Sequence, residues 1–297
     1  MMIKENNTLI FSHFILTRFN VKNLFGKGHK AYLDKAGIDN TSESYMKYRF
    51  DIFEKYCLPS IDNQMNKNFI WLVYFDMDTD KYFLDKINII KKKYSFFQPV
   101  FVKDFSSLEE NYKNDIDSLI KKPIKFLITT IIDNDDCLHK NVIQDIQIRF
   151  NNQELKFFNF YNGYMYDLNK KIIIQKGQNS NGNGTSLIER FDLKTIKTAW
   201  CTQHPKLQEL GEMVNIHYEP YWIQLIHDRN NTNDLFIKQK KTYKPLYGKY
   251  FENNYGIDPL ERSFTNFILY YIFYYYKKII PLIKFYLGRM FKTKNSI

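Results

Sequence analysis

The sequence predicts an α/β fold with a mainly parallel central sheet, and three observations predict it. Over the first 155 residues, apolar runs of strand length alternate with runs of helical periodicity. The connections are short, which favours right-handed crossovers and parallel neighbours. The most apolar run, KFLITTII at residues 125–132, has the length and residue types of a buried strand.

The elements follow in order. Residues 8–17 read as a strand. Residues 44–66 hold a helical run with Tyr45, Tyr48, Ile52 and Phe53 near one face. NFIWLVYF at 68–75 is a buried strand, 80–94 a helix and 98–102 a strand. A helix is expected over 107–121, capped by Ser106 or Ser107 with a glutamate three residues on. After KFLITTII come a helix at 139–151 and a strand at 155–160. Residues 164–167 and 171–175 read as a hairpin. GQNSNGNG at 177–184 is the glycine- and asparagine-rich loop, with the composition of a mobile segment. Further strands are expected near 196–201, 213–217 and 221–226. This organises the chain as a catalytic-type domain over residues 1–235, a basic linker over 236–262 and a helical tail over 263–297.

Composition sets limits. The 297 residues are 44% hydrophobic, which excludes global disorder, and sparse glycine (11) and proline (8) exclude collagen-like or low-complexity chains. The formal net charge is +11, yet seven basic and no acidic residues follow from Arg262 onward, leaving +4 for the first 261 residues. A nucleic-acid binder carries its basic charge on the folded domain. A nearly balanced body with a basic, aromatic tail suits an anionic surface instead, and no nucleic-acid partner is expected. FTNFILYYIFYYY at 264–276 is too short to span a bilayer, which takes about 20 apolar residues. Pro281 starts a second helix over 282–290. The tail is expected to lie on a membrane surface, or to pack on the domain or on a second copy of the chain. Cys57, Cys137 and Cys201 form no CxxC pair, and the N-terminus lacks a signal peptide's apolar stretch. A cytoplasmic protein at the inner membrane face is the expectation.

The chemistry centres on Asp133-Asn134-Asp135-Asp136, which follows KFLITTII and so stands at the carboxyl end of a parallel strand, where such sheets bind ligands. Three carboxylates in four residues repel one another, and a hard divalent cation relieves the repulsion. Oxygen ligands favour Mn²⁺ or Mg²⁺, ions that hold substrate phosphates. A turn with a helix N-cap explains the same residues without a metal. The chemistry that fits is transfer from a nucleotide sugar, in which a cation stabilises the departing diphosphate. Asp135 and Asp136 are then the metal ligands, and Asp133 a donor contact.

Six segments in order, HFILTRFN (13–20), YRFDIFEKYCLPSIDNQMNKNFIWLVYFDMDT (48–79), LITTIIDNDDCLH (127–139), FNFYNGYMYD (158–167), TSLIE (185–189) and WIQLIHDRNNTN (222–233), resemble the bacterial rhamnosyltransferase family, a GT-A-like group. The resemblance covers roughly residues 10–235, and Asp-x-Asp at this point is a mark of GT-A glycosyltransferases. It implies a GT-A-like, Rossmann-like α/β domain, to which the tail adds amphipathic helices. It also implies a nucleoside-diphosphate-sugar donor and a surface-glycan or lipid-linked acceptor. It places the nucleotide at Thr17, Arg18, Phe19 and Asn20, with Arg18 on phosphate and Phe19 facing the base, and a donor contact at Asp76. His227 completes the metal shell, Glu189 is the base for the acceptor hydroxyl, and Asp167 is its reserve. The family tends to carry an arginine where this chain has Ile131. Two other classes stay open: another divalent-metal phosphate enzyme, a nucleotidyltransferase or phosphohydrolase, and a non-enzymatic basic binding protein. No P-loop pattern supports the former.

Overall fold

The computed structural model describes residues 4–5, 8–22, 37–178, 182–200, 207–230 and 249–258, with scattered positions from 260 to 272. The strands are β1 (Lys4–Glu5), β2 (Thr8–Arg18), β3 (Ile70–Asp76), β4 (Phe97–Val102), β5 (Ile124–Ile131), β6 (Cys137–Leu138), β7 (Leu155–Phe160), β8 (Asn162–Asp167), β9 (Ile172–Gly177), β10 (Ser186–Arg190), β11 (Glu212–Ile216) and β12 (Trp222–Ile226). The helices are α1 (Glu43–Ile52), α2 (Leu58–Asp62), α3 (Lys81–Lys93), α4 (Phe105–Leu119), α5 (Val142–Ile148), α6 (Leu207–Leu210) and α7 (Tyr250–Tyr255).

The α/β expectation holds. The main sheet runs β11-β7-β10-β5-β2-β3-β4, with β1 paired to β2. β4, β3, β2 and β5 are mutually parallel, so Val102, Asp76, Arg18 and Ile131 end at one edge. β10 enters antiparallel between β5 and β7. The sequence reading assigned no strand there, because SLIE follows a glycine-rich loop and its partners are remote in the chain. The period-2 alternation of the strands sorts side chains onto two faces. Ile15, Val73, Ile128 and Ile188 pack towards α1, α3 and α5. Leu16, Leu72, Leu127 and Leu187 pack towards α4 and residues 196–199.

Local signals explain the flanking helices. α3 starts at Asp80, whose side chain accepts from Tyr82 N at 2.8 Å, buries Phe83, Ile87 and Ile90, and ends in three lysines that favour its C-terminal dipole. α4 is capped by Asp104, which accepts from the Ser107 amide at 2.8 Å, rather than by Ser106 or Ser107. The expected run over 44–66 is α1 and α2 joined without a break by one π-helical segment, Phe53–Cys57.

A second sheet, β6-β12-β8-β9, stands beside the first and contains the expected hairpin as β8 and β9. Gly163 on β8 lies under the Trp222 ring, where a Cβ would come within 2.0 Å of it, so only glycine fits. Part of the stretch expected as linker is folded. α7 buries Phe251 and Tyr255 against Tyr164, Ile223 and Leu225, and Tyr255 donates to Pro220 O at 2.6 Å. Residues 231–248 and the helix expected over 282–290 lie outside the described residues. Another correction concerns 196–201. Residues 196–200 form no strand: Thr198 has φ of 62°, which breaks any extended run, and Cys201 is outside the described residues.

His13 is buried between β2 and α5. Its Nδ1 faces the Gln147 side-chain amide at 3.1 Å, and that amide also donates to Asn68 O at 2.8 Å. With a donor facing Nδ1, the ring proton sits on Nε2 and is given to Thr130 Oγ1 at 2.8 Å. Burial pushes the His13 pKa down to about 3, from 6.5. The unfolded chain therefore takes up this proton first as pH falls. The His13 contribution is intact above pH 6.5 and is lost by up to about 1.4 kcal/mol per pH unit between 6.5 and 3. Urea unfolding of wild type and His13→Gln across that range should show a shallower acid loss in the variant. His139, whose pKa burial brings down to about 4, retains its own share. Equal slopes would remove His13 from the acid transition.

Candidate functional site

The site is built at the carboxyl edge of the main sheet. The chain leaves β5 through Ile132, whose carbonyl accepts from Thr17 Oγ1 at 2.9 Å, and Trp71 Nε1 donates to the same Thr17 oxygen at 2.9 Å. Thr17 thus binds β2, β3 and the exit of β5 together, a framework role rather than a nucleotide contact. The acidic loop follows. Asn134 Nδ2 donates to Phe19 O at 2.7 Å, so the end of β2 and the acidic loop are held against each other.

Oxygens of Asp133, Asp135 and Asp136 lie within 4.8 Å of one another, with Asp133 exposed and the other two buried. Each buried carboxylate has a different partner set. Asp135 Oδ2 accepts from Arg49 Nη1 at 2.7 Å and from Asn230 Nδ2 at 3.1 Å, and it stands 3.0 Å from His227 Nε2. Arg49 also donates to Asn134 Oδ1. Burial works against the Asp135 charge, but the Arg49 guanidinium and the His227 contact outweigh it and hold the carboxyl well below the usual range. Asp136 accepts from Leu225 N at 2.8 Å and from the Asn183 side-chain amide, fastening the loop to β12 and to the turn before β10. Burial, then the charges of Asp135 and Asp133, push the Asp136 carboxyl well up.

His227 follows β12. Its Nδ1 accepts from Arg229 N at 3.2 Å, which leaves the Nε2 proton for Asp135. It meets the acidic group at Asp135 and is not one of the residues whose ligand atoms lie within 4.8 Å of one another, so the expected metal shell is not completed by His227 here.

At the ends of β2 and β3 a cleft of about 380 Å³ is lined by Asn20, Thr41, Met46, Asp76, Thr79 and Phe83, among others. Asp76 is buried, and Lys22 and the Asp78 amide occupy its Oδ1 at 3.0 and 2.8 Å. Its Oδ2 has no hydrogen-bond partner among the described residues, which a buried oxygen bears only at a cost of about 1–3 kcal/mol. Asn20 Oδ1 accepts from Asp76 N at 3.1 Å. These two expected donor residues are brought together at one cleft.

Three other expectations are corrected. Phe19 does not face a ligand: it is buried among Phe50, Phe53 and Phe75, with ring centroids 4.7 to 5.3 Å away. Its carbonyl, not its ring, meets the site. Glu189 pairs with Leu127 in mid-sheet, on the Leu187 face opposite to Arg49. Its buried carboxylate accepts from Lys197 N and Thr198 N, each at 2.8 Å, and is not brought to the aspartates. Asp167 ends β8 as a turn residue, accepting from Asn169 N at 3.1 Å, Lys170 N at 2.8 Å and Lys170 Nζ at 2.9 Å. It flanks the site through that turn, because Asn169 donates to Asp228 Oδ1 at 2.7 Å, next to His227. Arg18 projects from the end of β2 as an exposed cation. Arg49, Asn183 and Asn230 were not among the expected residues.

A family model described as "Putative rhamnosyl transferase" matches residues 13–239. No curated protein matches the chain. Among solved structures, the chain is similar to one titled "Crystal structure of S. aureus TarS 1-349", at 10% identity and a TM-score of 0.38. That likeness takes in 72% of this chain, which spans 60% of the other.

Proposed function

The chain belongs to this rhamnosyltransferase family and is a glycosyltransferase, and from that premise we propose that it moves a sugar, rhamnose by family, from a nucleoside-diphosphate donor to a glycan or lipid-linked acceptor with the help of a divalent cation. The observation that carries the reading is the three carboxylates converging at the carboxyl end of β5, of which Asp135 is paired with Arg49. The donor set is oxygen, which fits Mn²⁺ or Mg²⁺. Asp133 and Asp135 would hold the ion, with Asp136 fixing the loop and His227 orienting Asp135. When bound, it neutralises charge on the leaving diphosphate.

The remaining work falls to protein groups. The unpartnered Asp76 Oδ2 can accept a hydroxyl or imide N–H of the nucleoside, and Asn20 holds the Asp76 backbone in place. The acceptor side is inferred from the tail. Ser263 N and the Asn266 side chain donate to Lys171 O and Lys170 O at 3.0 and 2.9 Å, so the tail departs from the β8–β9 turn that flanks the site. Ile268, Leu269 and Ile272 are exposed there, and the following residues are basic and aromatic. No helix among the described residues is long and apolar enough to cross a membrane. Contact with an anionic bilayer surface would bring a lipid-linked acceptor to the same edge.

Calorimetric titration of UDP and dTDP with Mn²⁺, then with EDTA, tests the donor reading. Metal-dependent binding of one of them is expected, and the preferred base narrows the sugar. A folded protein that binds neither would return the aspartates to a capping role.

A further inference from the structure

Three lysines stand along the β8–β9 hairpin, and they differ in how they are balanced. Lys170 Nζ meets Asp167 at 2.9 Å, and Lys171 pairs with Glu261. Lys176, on β9, has no carboxylate partner among the described residues. Its Nζ donates to Gln224 Oε1 at 3.2 Å, one amide acceptor for three ammonium hydrogens. Strand β8 lies between β9 and β12, so the two backbones are about 10 Å apart and both side chains extend to meet.

The face they share follows from the alternation of the strands. Tyr164, Tyr166, Ile223 and Leu225 turn towards α7. Gln224 sits between Ile223 and Leu225 and turns the other way, as does Lys176, which pairs with Gly163 next to Tyr164. Lys176 is half-buried there, and burial brings its pKa down against the pull of the Asp136 charge. A cation partly withdrawn from water and given only an amide loses hydration that no carboxylate returns.

The acidic loop joins the two sheets, leaving β5 of the first and entering β6 of the second. Leu225 N, next to Gln224, donates to Asp136 Oδ1 at 2.8 Å, so the strand that holds Lys176 also holds the loop. A donor with its nucleoside at the β2–β3 cleft and its diphosphate at the acidic loop occupies the main-sheet side. The second sheet is what remains for the acceptor, and the tail departs from the β8–β9 turn of that sheet.

We propose that Lys176 binds an anionic group of the acceptor, a phosphate or a sugar carboxylate, on the face of the second sheet turned away from α7, and that Gln224 is the positioning residue that holds its ammonium there. This rests on the donor and acceptor readings above, and it makes a charged acceptor the preferred one.

The test is ligand-observed NMR binding of methyl glucoside, glucose 1-phosphate and glucuronate. The protein is first saturated with Mg²⁺ and whichever of UDP and dTDP binds, so that the nucleotide site is filled. Wild type should hold at least one charged sugar about tenfold more tightly than methyl glucoside, the share of one charge-assisted contact. Which of the two it holds tells a lipid-carrier phosphate from a sugar acid. Lys176→Met should remove the preference and leave nucleotide affinity unchanged, and Lys176→Arg should keep it. Gln224→Glu supplies the missing counter-ion within the fold and should remove the preference as well. Lys171→Met, an equal change of charge at a paired lysine, should not. Absence of any preference in wild type, a preference that survives in Lys176→Met, or an equal loss in Lys171→Met overturns the proposal and leaves the donor reading standing. A wild-type protein that binds neither nucleotide overturns the donor reading and this proposal with it.

Discussion

Arg49→Met is expected to lower the unfolding free energy by about 3–5 kcal/mol, the cost of leaving one member of a buried ion pair alone. The reasoning is local. Arg49 and Asp135 are both buried, and their 2.7 Å contact is the principal compensation for an acidic loop with Asp133 and Asp136 beside it. Without the guanidinium, Asp135 loses the neighbour that outweighs its burial, and Asn134 Oδ1 loses its donor. The loss is a large fraction of the roughly 5–15 kcal/mol that holds a domain together. Methionine keeps the volume and removes the charge, so the effect is electrostatic. Two further measurements separate this from simple damage. Arg49→Met/Asp135→Asn should be more stable than the sum of the single changes predicts. Mn²⁺ should raise the stability of Arg49→Met more than that of wild type, because the ion replaces a missing positive charge. Additive single changes, with no difference in the response to Mn²⁺, would show that the pair is not coupled to the acidic loop.

Asp133→Asn should leave stability within about 0.5 kcal/mol of wild type, as exposed substitutions do, and lower the rate of sugar transfer about 100-fold or more. Asp133 is the exposed carboxylate of the three, so its removal tests the proposed ion site without breaking the Arg49–Asp135 contact. Asp135→Ala cannot do this, since it strands Arg49. The measurement is turnover of the preferred nucleotide sugar against Mn²⁺ concentration. A shift to higher Mn²⁺ is expected in the variant, with loss of turnover in EDTA for both proteins. Full turnover of wild type in EDTA would sink the divalent-ion part of the reading.

The strands that end at the site were legible because each is an apolar run of strand length, and their parallel direction follows from short helical crossovers. The acidic loop was legible because it directly follows the most apolar of them. What escaped depended on contacts remote in sequence. β10 pairs with β5 and β7, and nothing in SLIE announces those neighbours. Once it is a strand, the period of two sends Glu189 to the Leu127 face, where a carboxylate must find amides. Phe19 reads as a ligand platform from its place at a strand end, yet alternation with exposed Arg18 turns it inward. Arg49 did leave a trace. With Tyr45, Ile52 and Phe53 on one helical face, position 49 falls on that face as well, and an arginine on an apolar face implies a buried counter-ion. The 196–200 turn left no such trace, since TIKTAW has strand composition and its amides are taken by side chains from elsewhere.

The helical run from Glu43 to Asp62 grips the acidic loop at both ends. Arg49 holds Asp135 from one side of the π-helical segment. From the other side, Ser60 Oγ accepts from Leu138 N at 3.1 Å, and Gln64, just past the helix, donates to His139 O at 2.9 Å. Each helical residue turns the chain by about 100°, so the count of residues between the two grips sets the angle between them. Along 53–57 Glu54 and Lys55 are exposed and free to vary, whereas Phe53, Tyr56 and Cys57 are buried and the length of the segment is fixed. A lineage that inserts or deletes one residue there swings Arg49 away from Asp135 while Ser60 and Gln64 stay in place. Such a length change separates the ability to fold the second half of the loop from the ability to hold its charge.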